Sequence, residues 1–158
     1  MPVILHKVLF VCVHNSARSQ MAEAFLNKFG KDHFIAESAG IEPGTLNPNV
    51  VEVMKEIDID ISNKNTQGVF DLLSKGKTYN AVITVCDEAS AERCPIFPGA
   101  TKTIAWSFAD PSAFRGDHAE VLEKTRKVRD EIREKIMEFI KDASQLDYWV
   151  KPSVSRTK

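Results

Sequence analysis

"VLFVCVHNSARSQMAE", residues 8–23, holds the reading on which the fold depends. An apolar run stops on Cys12, passes through small or polar residues, and restarts with helical spacing at Met21. Read as strand, turn and helix, it sets a thiol where backbone N–H groups converge, with Arg18 six positions on. A helix N-terminus and a nest of N–H groups favour an oxyanion, and a guanidinium can grip two of its oxygens at once. The same field favours a thiolate, so Cys12 is expected to be largely ionised at neutral pH, with Ser19 placed to donate a hydrogen bond to it. Cys-x5-Arg alone has little weight. Its place between a strand and a helix, with the turn formers Asn15 and Ser16 inside it, makes it informative.

Outward from this stretch, runs of strand length at 7–11, 34–38, 81–85 and 101–106 alternate with helix-period segments. Phe25, Leu26 and Phe29 share one helical face before the stop at Gly30. Asn47 and Pro48 read as N-cap and first residue of a second helix, which buries Val50, Met54 and Ile57. A short helix is expected near 68–75, ending at Gly76. The longest starts near Asp117, with Glu120 completing a capping box, and sets Val121, Thr125, Val128, Ile132, Ile136 and Phe139 down one side. This alternation predicts a single α/β domain, a four-stranded parallel sheet flanked by helices, with ligands beyond the strands' carboxyl ends. Cys12 and Cys86 both follow strands and so fall on that edge. The domain is expected to span 1–141, with 142–158 as a C-terminal tail, polar apart from Tyr148, Trp149 and Val150, that packs loosely or frays.

Composition fits a globular domain: 158 residues, 43% hydrophobic, 27% charged, net charge −1. That balance offers no argument for a nucleic-acid or membrane partner, and "VLFVCV" is far shorter than the roughly 20 residues of a membrane span. A cytoplasmic monomer is the expectation. Cys12, Cys86 and Cys94 are an odd number at uneven spacing, unlike the framework of a small secreted domain. Buried structural thiols, a metal site and redox catalysis remain open. Metal is the least favoured, because seven residues separate Cys86 from Cys94 and the histidines show no paired spacing.

"CVHNSARS" (12–19) resembles the anion loop of the low-molecular-weight protein tyrosine phosphatases and their relatives, the thioredoxin-coupled arsenate reductases. The similarity continues through "SQMAEA", "ESAGIEP", "LNPNVVEVMKEIDIDISN", "VITVCDEASAERCP", "WSFADP" and "KVRDEI", up to about residue 141. It implies a low-molecular-weight phosphatase-like, Rossmann-like fold. It also implies an oxyanion-binding loop of Val13, His14, Asn15, Ser16, Ala17, Arg18 and Ser19, with Cys12 as nucleophile and Asp110 as acid. Phosphatases of this type usually carry a second cysteine and a proline in the loop region where this chain has Ala17 and Gln20. They also place an aromatic where Ser112 stands.

Among the reductases, the resemblance assigns Cys86 and Cys94 to a thiol relay that converts arsenate to arsenite, an arsenic detoxification. Nothing is held as a cofactor; an external thiol such as thioredoxin, or glutathione with glutaredoxin, supplies electrons. A phosphate monoester hydrolase using Cys12 is the alternative, and a non-catalytic anion-binding or redox-sensing module a third reading. Some relatives hold potassium; Asn15, Glu23 and Ser38 match three ligands, but "NTQGVF" (65–70) has no carboxylate. If "DEASAER" continued as helix, residues 86 and 94 would lie about 12 Å apart at ~1.5 Å per residue, whereas a disulfide needs Cα atoms within roughly 7 Å. The segment would then have to unwind.

Overall fold

A computed structural model describes residues 5–150. The strands are β1 (His6–Cys12), β2 (Phe34–Gly40), β3 (Ala81–Thr84) and β4 (Lys102–Ala105). The helices are α1 (Arg18–Phe29), α2 (Pro48–Lys55), α3 (Val69–Ser74), α4 (Glu88–Ala91), α5 (His118–Ala143) and α6 (Leu146–Val150), with a 3-10 turn at Pro111–Ala113. The sheet is wholly parallel in the order β2-β1-β3-β4. The chain leaves β1 towards one edge and returns to the other side of it, so a switch point opens between β1 and β3. Cys12 ends β1, and Cys86 lies two residues beyond β3.

Burial on both faces explains why β1 is an unbroken apolar run from Val8 to Cys12. Val8, Phe10 and Cys12 point into a cluster with Phe25 of α1, Met54 of α2, and Ile132 and Ile136 of α5. Leu9 and Val11 point the other way, against Val69 and Leu72 of α3 and Phe97. The expected caps form: Asn47 accepts from Asn49 N–H at 2.8 Å. Asp117 accepts from Glu120 N–H at 2.9 Å, while Glu120 accepts from Asp117 N–H. Gly76 takes φ +75, as a stop after α3 requires.

Two expectations are corrected. Helix α4 is only four residues long, because Cys94 precedes Pro95 and a residue before proline is driven out of the helical region. Cys94 sits one turn past the helix, its N–H donating to Ala91 O at 3.1 Å. The tail, for its part, does not pack loosely as far as residue 150. Trp149 stacks on His6 at 4.2 Å between ring centroids and donates to Ala143 O, and Tyr148 meets the edge of Phe139. Residues 151–158 of the tail lie outside the described residues. Among those described, no helix is long and apolar enough to cross a membrane.

Candidate active site

The loop from Cys12 to Arg18 is turned by Asn15, whose φ of +56 asparagine tolerates better than most residues. Its carbonyls face a strap formed by residues 41–47. Cys12 O accepts from Ile41 N–H, Val13 O from Glu42, His14 O from Gly44 and Ser16 O from Asn47, all between 2.7 and 3.0 Å. With the carbonyls held outward, Asn15 N–H points to Cys12 Sγ at 3.1 Å. The His14 ring lies against Glu42 O and is exposed. Ala17 and Ser16 are buried.

Ser19 sits in a relay of side-chain hydrogen bonds. Asn15 Nδ2 donates one hydrogen to Ser19 Oγ at 2.8 Å and the other to Ser38 Oγ at 2.9 Å. Ser38 passes its own proton to Glu23 at 2.5 Å. Ser19 Oγ, which accepts from Asn15, lies 2.9 Å from Cys12 Sγ, where its O–H is placed to donate to a thiolate. Asn15 N–H donates to the sulfur and the Ser19 hydroxyl is placed to do so, a pattern that suits an anionic sulfur. Asn15 Oδ1 accepts from Gln67 N–H at 3.0 Å. Gln20 Nε2 donates to Asn15 O and Asn65 O.

The structure thus brings Asn15, Glu23 and Ser38 together, as a potassium site would need. The cation it shows against Glu23 is the Lys64 ammonium. Among the described residues, no group of three or more His, Cys, Asp or Glu is arranged to hold a metal.

Arg18 opens α1 and is buried. It donates to Phe108 O at 3.3 Å and lies 3.5 Å from Asp110 Oδ2, while its Nε has no hydrogen-bond partner among the described residues. A buried donor left unpaired costs about 1–3 kcal/mol, which an oxyanion in the loop would offset. Asp110 caps the 3-10 turn by accepting from Ser112 N–H at 3.0 Å. Cys86 is buried within the fields of both Arg18 and Cys12. Burial pushes its thiol up, Arg18 pulls it back, and Cys12 adds to the rise. Burial pushes Cys94 up to about 11, with Cys86 contributing. Both line one cavity of about 570 Å³ with Phe97, Ile104 and Trp106. Arg18 thus lies against Asp110 and within the field of Cys86, and Cys94 shares the Cys86 cavity.

Gly40 was not among those candidates. A Cβ there would lie 2.7 Å from Asn15 N, 2.7 Å from Val13 O and 2.8 Å from His14 C, all backbone atoms that cannot swing aside. The sequence signal was a glycine ending a buried strand, a mark of close backbone approach. Gly40→Ala is expected to displace the loop, lowering the thermal midpoint by about 5 °C or more and abolishing phosphate binding. A melting curve and a phosphate titration check this; wild-type values in both would show that the loop yields freely.

Residues 7–148 match the low molecular weight phosphotyrosine protein phosphatase family. Among curated relatives, the arsenate reductase of Bacillus subtilis is 40% identical over 134 residues, which is 84% of this chain and 93% of that protein. A solved arsenate reductase in a phosphate-binding state superposes with a TM-score of 0.72 at 28% identity, covering 87% of this chain and 98% of that one. The thioredoxin-dependent arsenate reductase of Corynebacterium glutamicum gives a TM-score of 0.61 at 28% identity, over 92% of this chain and 66% of that one. With the fold, the anion loop and a match over most of its length in agreement, the chain belongs to the low molecular weight phosphotyrosine protein phosphatase family.

Proposed function

We propose that this protein is an arsenate reductase that works by a three-cysteine relay. The observation that supports it most is the position of Cys86, a buried thiol in the fields of Cys12 and Arg18, sharing a cavity wall with Cys94. Ester hydrolysis needs neither of those two sulfurs.

Arsenate is a tetrahedral oxyanion, suited to the loop N–H groups and the Arg18 fork. Cys12 thiolate attacks arsenic, Asp110 gives its proton to the departing oxygen, and water leaves as the S–As bond forms. Cys86 thiolate then attacks Cys12 Sγ. The S–As electron pair goes to arsenic, which leaves as arsenite, and the two sulfurs, oxidised by two electrons, become a disulfide. Cys94 thiolate attacks Cys86, expelling Cys12 thiolate, and an external dithiol of the thioredoxin kind reduces the Cys86–Cys94 bond. Every group comes from one chain, so a monomer suffices.

The test is incubation with arsenate, thioredoxin, thioredoxin reductase and NADPH, beside p-nitrophenyl phosphate alone. Arsenate-dependent NADPH oxidation is expected. Ester hydrolysis without it would select the phosphatase reading, and neither activity a binding module.

Arg18→Lys should lower catalytic efficiency with arsenate by about 10²–10³-fold despite the retained charge, since an ammonium cannot reproduce a planar two-point grip. Steady-state kinetics checks this. Unchanged efficiency would mean that the backbone alone holds the anion.

A further inference from the structure

Asn47 is buried and uses three groups in three directions. Its N–H donates to Ser16 O of the anion loop at 2.9 Å. Its Oδ1 caps α2, accepting from Asn49 N–H. Its Nδ2 donates to Ser112 Oγ at 3.0 Å. Ser112 in turn gives its backbone N–H to Asp110 Oδ1. The two oxygens of Asp110 are thereby distinguished: Oδ1 is held by the turn, and Oδ2 lies on the Arg18 side.

We propose that Asn47 and Ser112 form a latch that registers the acid-bearing turn against the anion loop, leaving Oδ2 as the oxygen that delivers the proton. Both are positioning residues, acting through Asp110. A helix cap needs only Asn47 Oδ1 and the loop bond only its backbone N–H; the side-chain Nδ2, which neither uses, is given to Ser112 Oγ. The side chain of Ser112, set on a three-residue turn, makes its only described hydrogen bond to Asn47. Pro111 packs the turn down by burial, and the Ser112 bond ties it to the strap that carries the anion loop.

The inference rests on the reductase reading for its substrate, but Asp110 would serve ester hydrolysis equally, so both reactions are measured. Asn47→Ser keeps a good capping residue but is too short to reach Ser112. Ser112→Ala removes the acceptor, and Ser112→Thr keeps it. Ser112→Ala and Asn47→Ser are each expected to lower single-turnover arsenite release, and kcat for p-nitrophenyl phosphate, by about three- to tenfold, the scale of one hydrogen bond. KM should stay within about twofold, Ser112→Thr should retain the wild-type rates within about twofold, and the double variant should be no slower than the worse single one. Amide exchange at 110–114 should quicken in Ser112→Ala and Asn47→Ser.

Additive losses, a change confined to KM, or unaltered exchange at 110–114 would overturn the latch. A wild-type protein that hydrolyses the ester but leaves arsenate unreduced would overturn the reductase reading instead, while the ester kcat still decides the latch. Were the wild type inert with both, exchange alone would decide it.

Discussion

Replacing Cys12 with serine is expected to remove arsenate reduction and any ester hydrolysis together, by roughly 10⁴-fold or more, while leaving the fold and phosphate binding intact. Both reactions begin with attack by the same sulfur. Serine offers a hydroxyl that is almost wholly protonated at neutral pH, and the groups hydrogen-bonded to Cys12 Sγ among the described residues, the Asn15 N–H and the Ser19 hydroxyl, are not bases. Those two contacts suit an oxygen as well as a sulfur, so the loop should keep its shape. The buried Nε of Arg18 and the helix N-terminus remain available to an anion. Activity assays with arsenate and with p-nitrophenyl phosphate, beside a phosphate titration, measure the split between binding and chemistry. Retention of either activity would take Cys12 out of the nucleophile role; loss of phosphate binding would show that the sulfur is itself part of the cradle.

The parts of the fold that were legible in the sequence are those specified locally. Alternating strand and helix periods located all four strands, and Asn47-Pro48 and Asp117-x-x-Glu120 marked helix starts because a cap is a short-range hydrogen bond. Cys12 was legible as a strand end and Arg18 by its spacing in the loop, while Asp110 came only from the resemblance; parallel topology is why residues this far apart in sequence can reach one edge. What stayed hidden depends on distant partners. Trp149 is fixed by His6, more than 140 positions earlier, and nothing in a five-residue helix announces that. Gly40 is required by the backbone of Val13–Asn15, and the second role of Asn47 by Ser112. The short α4 was a missed local signal, since Pro95 stands directly after Cys94.

The relay makes its sharpest demand on Cys94. In the reduced protein burial pushes its thiol up to about 11, so at pH 7 it is expected to stay largely protonated. Four hydrogen bonds hold that segment, from Ala91, Glu92, Arg93 and Cys94 N–H back to Asp87, Glu88, Ser90 and Ala91 carbonyls, and Arg93 is paired with Glu42 beside the anion loop. Drawing Cys94 onto Cys86 is expected to loosen these bonds.

Cys94→Ser is therefore expected to release about one arsenite per protein, since chemistry through Cys86 is untouched, and then to stall by about a hundredfold or more with thioredoxin. Its Cys12–Cys86 disulfide would lie between two buried residues, where a protein reductant reaches poorly. Cys86→Ser should fail even the first turnover, because no other thiol borders Cys12. Oxidised wild type should show faster amide exchange across 87–93 than reduced protein, and reduced Cys94 should resist alkylation at pH 7. Quenched-flow arsenite counting and steady-state NADPH oxidation separate the two variants. Steady turnover by Cys94→Ser at the wild-type rate would sink the relay and favour direct reduction of the first disulfide, or of the arsenic adduct, by a small thiol.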